Sequence, residues 1–496
     1  MPAGRGWRNP PRSETEGTRQ ILLLQFIQRL FQWNTADLQF ERAEEWVRRN
    51  NLGEALKALD RAPECSIPTL PWPRSRRGDV LQQLGRYREA IDSYNGSLSI
   101  NPYDEQTRLR LALIQGRFGK LKAAVINYDK VLEIDPESLI TWHNRGIRLL
   151  QLQRPRLAMN SFNQALRYAA ERPEIWMARG HCAYRLHRYP AAAASFAQAI
   201  KLQARRGKLW RYRADALLQA NRTKSALECY KRALRTRRKD PITWHNLGIL
   251  LIRTQRYRQA REMLGVAIKL GNLTSSWYAR GLVFQRMGDW RLALKHFERA
   301  LEIQPDYFPA QYGRAEALQQ LQDYSTALDA FAAILQSRPQ TFACWFGRVT
   351  CLRQMQAWED ALHYSQQMIE IDDQHPLGWF AQAMIHADLE HWQEALAALN
   401  QVLQLTPADT TALNNRGWVY CQLHRYQEAL ESVEQALQRQ PQNPLYWHTR
   451  GEAQLAWENR KPHGKVFARP CTGIPTSPWL NKPWRLSKEV PCLYRT

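Results

Sequence analysis

The sequence predicts an all-α fold in which antiparallel helix pairs stack side by side as a solenoid. Three observations predict it: a period of 34 residues, an alanine at position 20 of all eleven copies, and a tryptophan at position 4 of seven copies. A length of 496 residues would otherwise suggest about three globular domains. A repeat array instead folds as one extended series, because each repeat packs only against its neighbours.

Each copy of the repeat has the pattern of two amphipathic helices. Counted from residue 71, the copies begin at residues 71, 105, 139, 173, 207, 241, 274, 308, 342, 376 and 410, and we number them repeats 1 to 11. Positions 4, 8 and 11 share one helical face, and positions 20, 24 and 27 share a face of the second helix. Position 8 is usually glycine or alanine and position 24 is usually aromatic. A small residue lets two helices approach closely, and the ring fills the space beside it.

These columns resemble the tetratricopeptide repeat family, whose pattern is W-x2-L-G-x2-Y, then A-x3-F-x2-A, then P. The resemblance covers residues 71–443. It implies a right-handed superhelix whose first helices line a concave groove, and a role in binding other proteins. The chain departs from the family at position 7, where arginine often replaces leucine, and we expect these arginines to pair with an acid of a neighbouring helix; direct contact with a ligand is the alternative. They are Arg145, Arg179, Arg213, Arg280, Arg314, Arg348 and Arg416.

The N-terminal end departs from the repeat. Residues 1–35 form a segment with one apolar helical stripe, made of Leu23, Phe26, Ile27 and Leu30. We expect this helix to cap the first repeat, since an array needs its open end covered. A helix over residues 21–33 that contacts a membrane surface or a partner is the alternative. Residues 36–70 are predicted to be a degenerate repeat and a linker.

The C-terminal end begins a twelfth repeat that is not completed. Residues 444–460 match a first helix, with Trp447 at position 4 and Gly451 at position 8. The alanine expected at position 20 is absent, and residues 461–496 are rich in proline and basic residues. Such a composition does not build a packed core, so we predict a disordered basic tail. A truncated array is the alternative interpretation.

The net charge of +24 is concentrated in one part of the array. Residues 139–273, which are repeats 3 to 6, contain 28 Lys and Arg against six Asp and Glu, whereas residues 274–443 contain 12 against 19. Crowded like charges repel one another. The basic segment therefore indicates a partner protein or peptide that is acidic or extended.

Two sets of residues in the basic segment are predicted to bind this partner. The first set lies at position 16, in the turn between the helices, where stacking should align the side chains along one edge: Arg154, Arg188, Arg222 and Arg256. A turn position that tolerates any charged residue is the alternative. The second set follows from the family resemblance, which places positions 2, 5, 6, 9, 12 and 13 in the groove: Asn144, His181, Arg185, Lys208, Arg211, Tyr212, Asn246 and Arg253. Farther along, the same positions hold Phe346, Phe380, Asn414 and Asn415. A groove amide can both donate to and accept from an extended peptide backbone.

The sequence contains no motif typical of an enzyme or a cofactor site. It lacks a Gly-rich phosphate loop, G-x-S-x-G, H-E-x-x-H and a kinase signature, and the repeats occupy nearly the whole chain. We therefore expect neither catalysis nor a cofactor. His143, His181 and His245 lie one or more repeats apart, not at the i, i+4 spacing of helical metal ligands, so no metal site is expected.

Cysteine usage and hydropathy indicate a cytoplasmic protein. The eight cysteines have no zinc-site spacing and are too few for a disulfide scaffold in so long a chain. Free thiols in a reducing compartment are the simplest interpretation. No apolar run approaches the length of about 18 residues that a membrane-spanning helix needs.

Nucleic acid is the alternative partner for the basic segment. Lysine and arginine can contact phosphates, but base stacking also requires aromatic side chains among the basic residues. Tyr184 and Tyr212 meet that requirement. The exposed aromatic residues are expected mainly in repeats 7 to 11, outside the basic segment.

Overall fold

A computed structural model describes residues 38–65, 72–203 and 207–459. Within these ranges α-helix is the only regular secondary structure, which confirms the all-α prediction. The helix predicted over residues 21–33 and the tail predicted over residues 461–496 lie outside the described residues.

The described residues form two compact units, which divide between Lys239 and Asp240. The helices of the first unit are α1 (38–48), α2 (Leu52–Cys65), α3 (Trp72–Gln83), α4 (Tyr87–Ile100), α5 (Glu105–Arg117), α6 (Leu121–Ile134), α7 (Leu139–Gln151), α8 (Pro155–Tyr168), α9 (Pro173–Arg185), α10 (Tyr189–Leu202), α11 (Gly207–Gln219) and α12 (Thr223–Thr236). Those of the second unit are α13 (Pro241–Arg253), α14 (Tyr257–Gly271), α15 (Thr274–Met287), α16 (Trp290–Ile303), α17 (Phe308–Gln320), α18 (Tyr324–Ser337), α19 (Phe342–Gln354), α20 (Trp358–Ile371), α21 (Pro376–Asp388), α22 (Trp392–Leu405), α23 (Thr410–Gln422), α24 (Tyr426–Arg439) and α25 (Pro444–Asn459). Repeats 1 to 11 each contribute two helices, so each repeat is an antiparallel hairpin that packs on the next one within its unit.

A ring packed on a small residue joins the two helices of a repeat. In repeat 4 a β-carbon placed on Gly180 of α9 would lie 2.6 Å from the ring of Phe196 on α10. Carbon atoms pack at about 3.5–4.0 Å, so a larger residue than glycine would push the helices apart. The same relation joins Gly78 to Tyr94, Gly146 to Phe162 and, in the second unit, Gly281 to Phe297. All of these rings are buried.

The tryptophan at position 4 ties a first helix to the loop before it. The indole N–H of Trp142 donates to the carbonyl oxygen of Pro136 at 2.7 Å, and that of Trp176 donates to the carbonyl oxygen of Ala170 at 2.8 Å. In the second unit the same bond joins Trp345 to Pro339, Trp379 to Asp373 and Trp447 to Pro441. Each acceptor is position 32 of the preceding repeat. The tryptophan at position 4 of one repeat therefore fixes the conformation of the loop that ends the preceding repeat.

Arginine at position 7 bridges successive repeats. Arg179 of α9 donates from Nε to Oδ1 of Asn163 on α8 at 2.7 Å, and from Nη1 to Oγ of Ser195 on α10 at 2.5 Å. One guanidinium thus joins three helices from two repeats. The same bridge joins Arg77 to Asp60 and Ser93, Arg145 to Asp129 and Ser161, and Arg416 to Asn400 and Ser432. The expected pairing with an acid is confirmed for Arg145 and for Arg314, which lies 3.9 Å from Glu298. Arg179 and Arg416 use an asparagine instead. The other three lie over aromatic rings: Arg213 over Trp210, Arg280 over Phe284 and Arg348 over Trp345.

The turn between the two helices has a left-handed residue at position 15. The φ angles are 57° at Gln153, 56° at His187 and 57° at Asn221. Such backbone reverses the chain within three residues, and position 16 then becomes the residue that precedes the second helix. The fold therefore places the position-16 arginines at helix N-termini.

The described cysteines are free thiols. Cys182, Cys229, Cys344 and Cys351 are buried, and burial raises the pKa of each thiol. A buried thiol with a raised pKa is protonated and unreactive at neutral pH. These side chains therefore act as small apolar residues of the helix interfaces.

Replacing Gly180 with alanine should lower the free energy of unfolding, because the added methyl group collides with the Phe196 ring. We expect a loss of about 1–3 kcal/mol. The matched control is Gly96→Ala on α4, where the added β-carbon would lie 3.5 Å from its nearest neighbour, Cδ of Arg74. That variant should gain up to about 1 kcal/mol from helix propensity. Urea unfolding followed by circular dichroism measures both, and a stabilised Gly180→Ala variant would contradict the contact.

Acid should destabilise the second unit through His296. This imidazole stacks 5.0 Å from the ring of Phe284 and lies 5.4 Å from Trp277. Burial, followed by the charges of Arg280 and Lys295, lowers the pKa of His296 from 6.5 to about 4. The unfolded chain therefore binds the proton first, and stability present above pH 6.5 is lost as the pH falls toward 4.

The control for this pH effect is His296→Phe, which keeps a ring but removes the titrating group. Between neutral pH and pH 4 the wild type should lose on the order of 1–2 kcal/mol more than this variant. Thermal unfolding of both proteins at a series of pH values measures the difference. Parallel stability curves for the two proteins would show that His296 does not titrate as described.

Candidate functional site

A cavity of about 360 Å³ opens between the first helices of repeats 3 and 4, which are α7 and α9. Its lining combines one guanidinium, one imidazole, one phenol, two amides and one apolar side chain, and consists of Leu150, Gln151, Gln153, His181, Tyr184 and Arg185. Two residues of the predicted groove set, His181 and Arg185, therefore meet at one cavity. The lining is mostly polar, with the Leu150 side chain and the Tyr184 ring as its apolar parts.

Arg185 lies exposed at the rim of this cavity. Its Nη1 lies 3.1 Å from Oε1 of Gln153 and 3.3 Å from the carbonyl oxygen of Leu150. These contacts link α9 to the end of α7 and hold the guanidinium over the cavity. A guanidinium carries five N–H donors, and these two bonds use only one of its nitrogens.

His181 forms part of an aromatic cluster beside the cavity. Its ring lies 4.6 Å from Tyr212 of α11 and 5.2 Å from Phe196 of α10. Burial, with the charges of Arg185 and Arg211, lowers the pKa of His181. The imidazole is therefore neutral at pH 7, so that one ring nitrogen donates a hydrogen bond and the other accepts one.

Arg211 and Tyr212 are held by contacts of their own. The guanidinium of Arg211 lies 4.7 Å from the Tyr212 ring centre and 3.8 Å from a carboxylate oxygen of Asp215, and its side chain is 13% exposed. Asp215 also accepts a hydrogen bond of 2.6 Å from the Tyr230 hydroxyl. Arg211 is thus largely covered, whereas Lys208, one turn earlier on α11, is exposed.

The position-16 arginines of repeats 3 to 5, Arg154, Arg188 and Arg222, are all exposed, and we call this set the basic edge. Each is the N-cap residue of its second helix, and none has a side-chain capping bond. Within the described ranges, none of the three has an ion-pair partner.

The remaining predicted residues lie on separate elements. Asn144 is half-buried on α7 of the first unit. Asn246 is half-buried and Arg253 exposed on α13, and exposed Arg256 precedes α14 without a side-chain cap. These last three belong to the second unit, so the structure divides the predicted set between two units.

Family models described as tetratricopeptide repeat match most of the array. The matched residues are 75–104, 105–138, 143–205, 207–250, 278–341, 312–376 and 382–450, which together cover more than half of the chain. The chain belongs to the tetratricopeptide repeat family. Arrays of this family are protein-interaction scaffolds, and this chain has that architecture.

Solved tetratricopeptide repeat structures are similar to the chain at low sequence identity. Yeast Tom70 is 15% identical over 78% of this chain and 96% of its own, with a TM-score of 0.43. A tetratricopeptide repeat protein from Parabacteroides merdae is 16% identical over 57% and 99%, with a TM-score of 0.36. YrrB, described as having an unusual peptide-binding site, is 19% identical over 38% and 97%, with a TM-score of 0.33. No curated protein matches the sequence.

The tetratricopeptide groove of repeats 9 to 11 differs from the sequence expectation. Phe346 and Phe380 were expected among exposed aromatic residues, but each is only 7% exposed, and Asn414 and Asn415 are also buried. The reason is close packing of the first helices, α19 on α21 and α23 on α25. The expectation that these rings offer an open surface in the acidic half is therefore wrong.

The groove histidines do not gather at a metal site. His143 lies beside Phe162, and Nδ1 of His245 lies 3.0 Å from Oγ of Ser276. Burial lowers the pKa of both imidazoles. Among the described residues no group of three or more His, Cys, Asp or Glu could hold a metal. No described helix is long and apolar enough to cross a membrane.

Arginines at position 7 and at position 16 should respond differently to substitution. Arg179→Met removes the bridge to Asn163 and Ser195, and we expect the free energy of unfolding to fall by about 1–2 kcal/mol. The control is Arg154→Met, which changes an exposed side chain and should leave stability within about 0.5 kcal/mol. Urea unfolding measures both variants. Equal losses would contradict the distinction between a structural and a surface arginine.

Proposed function

We propose that the chain is a protein-interaction scaffold whose first unit binds an extended acidic segment of a partner protein. The proposed contacts are the basic edge and the groove of repeats 3 to 5, with the cavity between α7 and α9 at one end. Residues 139–239 contain 23 Lys and Arg against four Asp and Glu. An acidic partner relieves the mutual repulsion of these cations when it binds.

The main support for this proposal is the basic edge, because arginine is an unfavourable residue at the N-cap of a helix. A helix N-terminus bears partial positive charge, so a cation there is unfavourable. An aspartate at the same position would accept a backbone hydrogen bond, and such caps stabilise a helix by about 1 kcal/mol. The equivalent Asp289 and Asp323 of the second unit do accept from Leu292 N and Thr326 N. Arginine before the second helices of three successive repeats thus lowers the stability of those helices. Binding of an acidic partner would offset this loss.

In repeats 1 and 11 the arginine at the same position is neutralised by an acid of its own helix. Arg86 pairs with Glu89 at 2.6 Å, and Arg425 pairs with Glu428, in each case three residues into the helix. The corresponding residues after the basic edge are Leu157, Ala191 and Ser225. An external carboxylate would supply the charge that the chain itself supplies in repeats 1 and 11.

The groove contributes recognition of the backbone and of individual side chains. Asn144, His181 and the two glutamines of the cavity can both donate and accept hydrogen bonds, as an extended peptide requires. Arg185 and Lys208 add exposed positive charge. Asn246, Arg253 and Arg256 provide the same chemistry in the first repeat of the second unit, and we include them as contacts of that unit.

Nucleic acid is the second candidate, because a row of exposed arginines suits phosphates as well as carboxylates. Base stacking is less well provided. Tyr212 is packed between Arg211 and His181, and Phe346 and Phe380 are buried. We therefore place an acidic protein segment first.

The test reverses the basic edge with Arg154→Asp, Arg188→Asp and Arg222→Asp in the full chain. Each aspartate should cap its helix as Asp289 does, so thermal stability should rise. Binding of a fluorescein-labelled peptide of alternating Glu and Ser should weaken by at least about tenfold at low salt, which corresponds to about 1.4 kcal/mol. Fluorescence anisotropy measures the affinity.

The matched control places the same charge change in the second unit, at the exposed residues Arg286, Arg291 and Lys295. Changing these three to aspartate should leave peptide affinity within about threefold. Unchanged binding to the triple edge variant would refute the proposed surface. Tighter binding of a single-stranded oligonucleotide than of the acidic peptide, lost on the same edge reversal, would favour nucleic acid.

A further inference from the structure

Helix α25 has the features of a first helix of a repeat. The indole N–H of Trp447 donates to the carbonyl oxygen of Pro441 at 2.8 Å, as the other position-4 tryptophans do. Arg450 lies 5.6 Å from the Trp447 ring centre and 3.5 Å from Glu434 on α24. On the inner side, Tyr446 and Ala453 are buried against the preceding hairpin. The helix is therefore seated in the register of a twelfth repeat.

The outer face of α25, which we define as Trp447 and Gly451 at positions 4 and 8 together with Leu455 at the adjoining groove position 12, differs from the same face in earlier repeats. Trp447 is 50% exposed and Leu455 is 65% exposed. Gly451 is half-exposed, and no atom of the described residues lies within 4 Å of a β-carbon placed on it. The neighbouring Trp457 is also exposed.

Earlier repeats show what covers such a face. The position-8 glycine is buried beneath the aromatic ring at position 24 of the same repeat, which lies on the second helix. The pairs are Gly78 with Tyr94, Gly146 with Phe162, Gly180 with Phe196, and Gly281 with Phe297. The β-carbon distances at these four places are 2.5–2.7 Å. In each case the ring is flanked by a small residue four positions before it and, in three of the four, by an alanine three positions after it. One kind of helix therefore fits the face: a helix with a small residue, an aromatic residue four later and a small residue three later.

We propose that the outer face of α25 docks one amphipathic helix of a partner protein that carries this small-x3-aromatic-x2-small pattern. Its aromatic ring would pack on Gly451, and its small residues would face Trp447 and Leu455. The interface would continue the row of hairpin contacts made by repeats 1 to 11. Exposed Glu452 and Glu458 flank the face, so basic residues on the flanks of the partner helix would be complementary.

The residues outside the described ranges do not show the pattern of this helix. In residues 1–37 and 460–496 no aromatic residue has a small residue both four positions before and three positions after it. The matching helices of a second copy are engaged as well, since Tyr94, Phe162, Phe196 and Phe297 are all buried in their own repeats. A separate protein is therefore the occupant that the pattern indicates.

The chain provides a probe for the test, because α16 contains Ala293, Phe297 and Ala300 at the required spacing. A fluorescein-labelled peptide with the sequence of residues 290–303 is titrated with the full-length protein, and anisotropy is measured. We expect saturable binding, weak because the peptide must become ordered as it binds. Phe297→Ala in the peptide should weaken binding by at least about tenfold.

Gly451→Leu fills the face and should weaken binding of the peptide by at least about tenfold. The matched control is Gly265→Leu, at a half-exposed helical glycine of α14 where the nearest side-chain atom is 3.8 Å from the added β-carbon. Circular dichroism confirms that both variants fold. The control should bind the peptide as the wild type does.

Two results would overturn the proposal: absence of peptide binding up to about 1 mM protein, which is the weak limit of a specific complex, or binding that Gly451→Leu leaves unchanged. The variant with the reversed basic edge separates this proposal from the acidic-segment proposal. It should keep its affinity for the α16 peptide while losing affinity for the Glu-Ser peptide.

Discussion

The packing of a ring at position 24 on a small residue at position 8 is the contact on which the array depends. It sets how closely the two helices of a repeat approach, and hence where the turn and the next first helix lie. The ring of Phe196 leaves no room for a β-carbon on Gly180, so the glycine and the ring require each other. The spacing of the helices in turn determines which side chains are neighbours in the groove, in the basic edge and on the outer face of α25.

Polar bonds then join one hairpin to the next, and they divide the arginines into two groups. Arg77, Arg145, Arg179 and Arg416 at position 7 are used inside the array, where a single guanidinium joins three helices. Arg154, Arg188 and Arg222 at position 16 have no such partners among the described residues and lie at helix N-termini, where a cation is unfavourable. The same residue type thus has a structural role at one position and points to an external anion at the other.

The two units also differ in how open their grooves are. Between α7 and α9 a cavity exposes Arg185 and neutral His181. Between α19 and α21 the positions equivalent to Leu150, His181 and Arg185 hold Arg353, Met384 and Asp388, and buried Arg353 pairs with Asp388 and contacts Met384. A buried ion pair thus joins the first helices of repeats 9 and 10 at positions that line a cavity in repeats 3 and 4. A repeat array can therefore carry a binding surface in one segment and a packed core in another without changing its period.

The sequence alone determined the fold class, the register and the concentration of charge, because a 34-residue period with alanine at position 20 and tryptophan at position 4 is a local pattern repeated eleven times. It also identified Arg154, Arg188 and Arg222 as surface residues, since a turn position is exposed whatever it packs beside. The tertiary structure decided which groove residues are accessible. Arg211 is covered by Tyr212 and Asp215, and Asn414 is buried, although both share their helical face with exposed residues. Burial there depends on how near the neighbouring first helix lies, and that distance is set by side chains one repeat away, about 34 residues along the chain.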